Sequence, residues 1–112
     1  MKEIKAYIKK HKLAKVTKAL QKLDGLTGMS IIDCSGYGKG WGAAKVTASD
    51  ESDISRPGVK IEVICHDHLA ELVVTSIEQA AHTGLKGDGK IYIGDISLAV
   101  RINTGERGEK AI

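Results

Sequence analysis

The sequence predicts a single α+β domain whose elements follow the order βαββαβ. Apolar residues alternate with polar ones in several short segments, as in strands, and twice recur at the three- and four-residue spacing of an amphipathic helix. The chain has 112 residues, close to the common size of one domain. Phenylalanine is absent and aromatic residues make up 4%, so the core must consist of aliphatic side chains. Such a small aliphatic core favours association of several copies.

The first half of the chain contains two predicted strands and one helix. Apolar residues at every second position predict the first strand, at Ile4, Ala6 and Ile8. Apolar residues at helical spacing, with lysines on the opposite side, predict the first helix, at Leu13, Val16, Leu20 and Leu23. The pair Asp24–Gly25 ends this helix. A run rich in β-branched residues over 29–34 predicts the second strand.

The second half repeats this arrangement. Alternating apolar residues predict the third strand, at Val59, Ile61, Val63 and Cys65. Asp67 is placed to cap a second helix, whose predicted core face consists of Leu69, Leu72, Val73, Ile77 and Ala80. Residues 91–93 predict the fourth strand, and 96–102 a short terminal element. This order predicts a ferredoxin-like fold, in which both helices pack on one face of an antiparallel sheet.

A long glycine-rich segment separates the second and third predicted strands. It contains almost no aliphatic alternation, and five glycines occur in it, at Gly36, Gly38, Gly40, Gly42 and Gly58. Loops of this length are usually functional or disordered, and a flexible linker is the alternative interpretation. We expect residues 39–56 to be flexible. Trp41 is a candidate partner-binding residue, because an indole on such a loop favours contact with a ligand or a protein.

A turn near the C terminus has the composition of an anion-binding site. Gly87 and Gly89 flank Asp88, so that backbone N–H groups can approach a phosphate, and Lys90 follows with a positive charge. Further along the chain, Arg101 supplies a planar guanidinium that suits phosphate oxygens. A hairpin turn that only leads into a strand explains the same glycines, and these residues alone do not decide between the two interpretations.

Charge and hydropathy exclude several classes of protein. The net charge of +3 is spread along the chain without a dense basic block, so we expect no nucleic-acid binding. No apolar run has the length of a signal peptide or a membrane span, so we expect a cytoplasmic protein that does not insert into a membrane. Cys34 and Cys65 lie in apolar segments and are expected to be free thiols.

The ordered set of C-terminal motifs resembles the PII signal-protein family, the nucleotide-binding regulators of nitrogen metabolism. The shared pattern is TGxxGDGK at 83–90, an aliphatic strand, Arg101, and TGExGExAI at 104–112. Upstream, Gly28-Met29-Ser30 resembles the Gly-Met-Thr of the family, and Gly36-Tyr37-Gly38-Lys39 resembles its GFGR. The similarity spans nearly the whole chain. It implies a homotrimer of ferredoxin-like subunits whose T-loop, here 39–56, engages a membrane transporter or a metabolic enzyme.

The resemblance also implies a site for ATP, ADP or AMP between subunits, with magnesium as a companion of ATP. It implies a group near the base, consisting of Ser30, Glu62 and Ile64. A second group is implied around the phosphates and consists of Gly36, Gly38, Lys39, Gly87, Asp88, Gly89, Lys90, Arg101 and Asn103.

Three departures from the family pattern alter what the resemblance implies. Asn103 stands where the family has a second arginine, which weakens selection for a long phosphate tail. Gly40 and Gly58 replace a glutamine and a lysine that help hold magnesium and 2-oxoglutarate in the family, so we expect 2-oxoglutarate sensing to be lost. No tyrosine lies between Lys39 and Arg56, so the uridylylation of some members has no acceptor.

Three other interpretations remain open at this stage. An enzyme could use acidic and histidine residues, but no nucleophile arrangement is recognisable and we expect no catalysis. A metal site could form at Cys65-His66-Asp67-His68, but strand alternation points Cys65 inward, and no metal is expected. A nucleotide-independent trimeric interaction module would leave Lys90 and Arg101 without a ligand.

Overall fold

A computed structural model describes residues 1–37 and 56–112. Four strands, two helices and two short 3₁₀ turns follow one another as β1 (Lys2–Ile8), a 3₁₀ turn (Lys10–Lys12), α1 (Leu13–Gln21), β2 (Ser30–Gly36), β3 (Arg56–Cys65), α2 (Asp67–Ala81), β4 (Lys90–Asp95) and a C-terminal 3₁₀ turn (Gly108–Ala111). The predicted loop over 39–56 lies outside the described residues except for Arg56, which begins β3.

The sheet is antiparallel with the order β2-β3-β1-β4. In the centre of the sheet β1 and β3 bring buried residues into register, such as Ile4 opposite Val63 and Ala6 opposite Ile61. These side chains form one core with the buried faces of α1 and α2, which include Leu20 and Ile77. The predicted ferredoxin-like α+β architecture is therefore confirmed.

The opposite face of the sheet carries a network of polar and aromatic side chains. Lys60 forms an ion pair with Glu62 at 2.6 Å, and its Nζ lies 5.9 Å from the centre of the Tyr7 ring. The Tyr7 ring meets Tyr92 edge to face, with the ring centres 6.1 Å apart. Most side chains on this face are partly exposed, and they include both apolar and ionised groups.

Three details of the sequence prediction are wrong. Leu72 was placed on the core face of the second helix, but it is 49% exposed, because the buried stripe follows Leu69, Val73 and Ile77. Asp67 does not cap α2: it is the first helical residue, and its carboxylate accepts a hydrogen bond from the Met1 amino group at 2.7 Å. That contact lowers the pKa of Asp67.

The third error concerns the predicted terminal element over 96–102. This segment contains no regular helix or strand: Val100 makes an isolated bridge to Arg107, and a turn separates the two residues. Within the two described stretches of the chain, neither helix combines the length and the apolar character that crossing a membrane requires.

Candidate functional site

A first cleft of about 470 Å³ opens where the start of β2 meets the end of β3 and the C-terminal segment. Its lining combines apolar and polar side chains and includes Met29, Ser30, Glu62, Ile64, Ala111 and Ile112. The three residues that the sequence assigned to the base of a nucleotide, Ser30, Glu62 and Ile64, are therefore together in one cleft. Ser30 and Glu62 are neighbours because they pair directly across β2 and β3.

The polar side chains of the first cleft are the hydroxyls of Thr27 and Ser30 and the carboxylate of Glu62. The hydrogen bond from Lys60 to Glu62 lowers the pKa of this carboxyl group, which therefore stays ionised as a hydrogen-bond acceptor. Met29, Ile64 and Ile112 supply the apolar surface. Such a cleft suits a flat, weakly polar ring with hydroxyl or amino groups better than it suits a phosphate chain.

A second cleft of about 350 Å³ lies between the end of α2 and the start of β4. Apolar residues at its base include Ile77 and Ile91, and polar residues at its mouth include His82, Asp88 and Lys90. Three of the residues predicted to surround phosphates, Asp88, Gly89 and Lys90, therefore share this cleft.

The segment 83–89, here termed the anion turn, is ordered by the Asp88 carboxylate. One carboxylate oxygen accepts hydrogen bonds from the backbone N–H groups of Thr83 at 2.8 Å and Gly84 at 3.0 Å. The other accepts from the Thr83 hydroxyl and lies 3.1 Å from Nζ of Lys9. The bonds from Thr83 are the main reason that the pKa of Asp88 lies far below its usual value. The carboxylate is thus engaged within the turn, and Asp88 also borders the second cleft.

Gly89 allows the anion turn to lie directly against β1. A Cβ atom at this position would lie 1.6 Å from the backbone oxygen of Tyr7. Gly87 and Gly89 both have positive φ angles, 87° and 102°, which side chains disfavour. The sequence therefore requires glycine here for two separate reasons, conformation and space.

Arg101 lies in a hairpin-like return between 100 and 107. Its backbone N–H donates to the carbonyl of Glu106 at 2.9 Å, and its guanidinium donates to the backbone oxygen of Ile112 at 3.2 Å. Arg101 is thereby tied to the C-terminal residue that lines the first cleft. Asn103 is exposed in the turn of this segment.

The two clefts are separate within one chain, and none of the residues that the structure describes lines both of them. In the sheet register Ser30 pairs with Glu62, Glu62 with Lys5, and Lys5 with Tyr92, so Ser30 and β4 lie at opposite edges. From the usual strand spacing and rise, the Cα atoms of Ser30 and Lys90 are roughly 16 Å apart.

Among the described residues, four predicted site residues line neither cleft: Gly36, Gly87, Arg101 and Asn103. Gly38, Lys39 and Trp41 lie outside the described residues, as does Gly40. Gly36 ends β2 opposite Arg56, at the base of the undescribed segment. The glycine at 58 is buried in β3 opposite Cys34, so the position of the family's lysine carries no side chain.

The alternative metal site is replaced by other contacts. Nδ1 of His66 lies 2.5 Å from Oε2 of Glu109, and the rings of His66 and His68 are stacked with their centres 5.9 Å apart. Burial raises the pKa of the Cys65 thiol, which disfavours the thiolate that a metal requires. Among residues 1–37 and 56–112, no group of three histidine, cysteine or acidic residues could hold a metal ion.

Comparison with known proteins shows the family to which the chain belongs. The model of the family described as "Nitrogen regulatory protein P-II" matches residues 1–106. The chain belongs to the P-II family. It is 42% identical to the nitrogen regulatory protein P-II of Azospirillum brasilense and to that of Bradyrhizobium diazoefficiens, and 38% identical to P-II 1 of Escherichia coli K12. Each alignment covers 100% of both chains. The predicted resemblance is confirmed.

The structure also adds residues that sequence patterns did not indicate. Lys9 and Thr83 order the anion turn, His82 borders the second cleft, and Ile112 borders the first. Thr83 belongs to the quoted TGxxGDGK motif, which is a signal that could have found it. Lys9 follows the alternating polar residues of the first strand, and this pattern does not indicate a contact with Asp88.

Proposed function

We propose that this P-II family member is a cytoplasmic homotrimer that binds adenine nucleotides between subunits and thereby regulates a partner protein. The ligand is ATP, ADP or AMP. The partner is a membrane transporter or a metabolic enzyme, and the T-loop over 39–56 with Trp41 contacts it. The names of its relatives describe regulatory proteins, which supports a role in signalling without catalysis.

The observation that carries this proposal is the division of the candidate residues between two clefts. Each cleft has the chemistry of one half of a nucleotide: the first has apolar walls with two hydroxyls and a carboxylate, and the second has a cation beside a glycine turn. The Cα atoms of Ser30 in the first cleft and Lys90 in the second lie roughly 16 Å apart, near opposite edges of the sheet. Two copies side by side can present the first cleft of one chain to the second cleft of the next, so that one nucleotide contacts both.

The polar face of the sheet supports association of the copies. It carries Ile32, Ile64 and Tyr92 among the ion pairs, and Ile32 and Tyr92 are 40% and 53% exposed. Packing of these faces in a closed ring covers the apolar area while the pairs of Lys60 with Glu62 and Lys5 with Glu3 remain satisfied within each chain.

The residues around the second cleft do not favour a tightly held magnesium ion. The Asp88 carboxylate already accepts hydrogen bonds within the anion turn and pairs with Lys9. Gly58 supplies no side chain at the position where the family has a lysine. We therefore propose that the nucleotide is recognised through its base and phosphates, and that 2-oxoglutarate is not a second effector.

Regulation through the T-loop is a shift between loop states. Gly36 and Arg56 pair at the ends of β2 and β3, so both ends of the loop are fixed to the sheet. A nucleotide can favour one loop state only through contacts that differ between the states. Lys39, three residues beyond the end of β2, is the proposed phosphate contact that makes this difference.

The test is calorimetric titration of the wild-type chain, Lys90→Ala and Lys86→Ala with ATP, ADP and AMP. Lys86 lies in the same turn but does not line the second cleft, so it controls for a general loss of positive charge. We expect Lys90→Ala to weaken ATP binding by about tenfold or more, the usual value of a charge-assisted contact, and Lys86→Ala to leave it nearly unchanged. Equal affinities of all three proteins would refute the site, and no binding by the wild-type chain would favour a nucleotide-independent module.

A further inference from the structure

Lys9 connects the end of β1 to the anion turn, which follows α2 much later in the chain. Its Nζ lies 3.1 Å from Oδ1 of Asp88 and 3.3 Å from Oγ1 of Thr83. The Lys9 and Asp88 side chains are 22% and 24% exposed, so solvent screens this pair less than it screens a surface ion pair.

The backbone of Lys9 is itself well fixed. Ile8, the preceding residue, pairs with Val59 in the sheet, and the carbonyl of Lys9 accepts a hydrogen bond from the N–H of Lys12 at 3.0 Å. The lysine side chain therefore starts from a rigid position. Its ammonium group binds the two side chains that hold the turn together, while Gly89 rests on the neighbouring Tyr7 carbonyl.

The charge of Lys9 also decides what a ligand meets in the second cleft. Asp88 and Lys90 border the same cleft, so an uncompensated Asp88 carboxylate would repel a phosphate that Lys90 attracts. His82 also lies near this carboxylate, with Nδ1 3.8 Å from Oδ2, but its side chain is largely exposed, and Glu78 is another acidic residue that borders the cleft. Lys9 is the closer cation, and pairing with it leaves the positive charge of Lys90 available to a ligand.

We propose that Lys9 is a positioning residue of the anion-binding site: it acts through Asp88 and Thr83 to fix the anion turn and to neutralise its carboxylate. It does not have to touch the ligand. This inference rests on the proposed nucleotide function, because the turn is taken to bind the phosphates. The lowered pKa of Asp88 agrees with a carboxylate that stays ionised and paired.

The experiment compares Lys9→Met with Lys9→Arg and with a control, Lys10→Met. Lys10 is exposed in the adjacent 3₁₀ turn and borders neither cleft. Two quantities are measured in each protein: the Kd for ATP by calorimetry, and hydrogen exchange of the Gly84 and Leu85 amides by NMR. We expect Lys9→Met to weaken ATP binding by about tenfold and to accelerate exchange of both amides by a similar factor. Lys9→Arg should restore both to within about threefold, and Lys10→Met should change neither.

A double-mutant cycle with Asp88→Asn separates positioning from a general loss of charge. If Lys9 acts through Asp88, Lys9→Met adds little to the effect of Asp88→Asn, and the two changes are strongly non-additive. Independent, additive effects would overturn the inference, as would wild-type ATP affinity in Lys9→Met. Failure of the proposed function gives a different result, because the wild-type chain would then bind no ATP.

Discussion

Replacement of Gly89 by alanine tests the contact that seats the anion turn against the sheet. The added Cβ would lie 1.6 Å from the Tyr7 oxygen, whereas real Cβ contacts are essentially never under 3.0 Å. The start of β4 must therefore withdraw by at least the difference, 3.0 − 1.6 = 1.4 Å. Such a movement disrupts the pairing of Lys90 with Tyr7, the end of the ladder between β4 and β1.

The free-energy loss has two parts. A side chain at positive φ costs about 1–2 kcal/mol, and Gly89 has a φ of 102°. Loss of one or two hydrogen bonds at the end of the ladder adds about 0.5–1.5 kcal/mol each. The expected decrease in the free energy of unfolding is therefore about 1.5–5 kcal/mol. Binding of ATP should be lost as well, because Lys90 moves with the strand.

Gly84→Ala is the matched control, measured by urea unfolding at the same protomer concentration. Gly84 also has a positive φ, 82°, but its nearest neighbour to an added Cβ is Nε2 of His82 at 3.8 Å, an ordinary contact. Gly84→Ala should therefore lower the free energy of unfolding only by the conformational cost, about 1–2 kcal/mol. Free energies of unfolding that agree within about 0.5 kcal/mol between the two variants would refute the steric argument.

Four further predictions concern the carboxylate, the core, the effector and the loop. Because the folded pKa of Asp88 is lowered, its stabilising contribution is complete above the unfolded pKa of about 3.9 and is lost on further acidification. The Tm difference between the wild-type chain and Asp88→Asn should thus stay constant from about pH 7 to 5 and shrink below about pH 4; a difference that grows in acid contradicts this. Ile77→Ala should lower the free energy of unfolding by about 2–5 kcal/mol and Leu72→Ala by less than about 1 kcal/mol in urea, and equal losses would return Leu72 to the core. Calorimetry should show no gain in ATP affinity from 2-oxoglutarate with magnesium, because Gly58 has no side chain; strong synergy would imply a rebuilt site. Excision of residues 42–55 with a short bridging turn should keep the fold, judged by circular dichroism, and abolish partner capture, whereas an unfolded product would make the loop structural.

The strands that form the centre of the fold could be predicted because each has one buried face. Ile4 and Ala6 alternate with polar residues, and a period of two leaves a single register in which they meet Val63 and Ile61. The prediction of the first helix was also correct. However, α1 ends at Gln21, and Leu23 packs on the core from the turn that follows. Local periodicity was therefore sufficient to predict these two strands and the existence of the first helix.

Leu72 shows where periodicity fails. A helical stripe wide enough to include it is compatible with the sequence, but the rotation of α2 on the sheet is set by Leu69, Val73 and Ile77 and leaves Leu72 at the edge. The terminal segment failed for a related reason. The apolar residues of 96–102 predict a short element, but within the described part of the chain Val100 pairs only through an isolated bridge to Arg107.

The sequence could predict which residues belong to each group of the candidate site, but it could not predict the contacts between distant segments. Ser30 and Glu62 were assigned to one group and are paired neighbours in the sheet, while Gly89 and Lys90 share another cleft. The role of Lys9 was not predictable, because its contact with Asp88 depends on how β1 and the anion turn meet in three dimensions. The same applies to the bond between Arg101 and the end of the chain.

The most direct test of the central claim is complementation between two defective chains in mixed trimers. Ser30→Tyr fills the first cleft from an exposed position, and Lys90→Ala removes the cation of the second. The two chains are co-expressed with different affinity tags, purified over both, and titrated with ATP. If each nucleotide contacts the first cleft of one copy and the second cleft of the next, every mixed trimer has one intact site, and about one third of the wild-type stoichiometry returns with wild-type affinity. Each variant alone should bind weakly. Mixed trimers that bind no better than the single variants would show that the site lies within one chain.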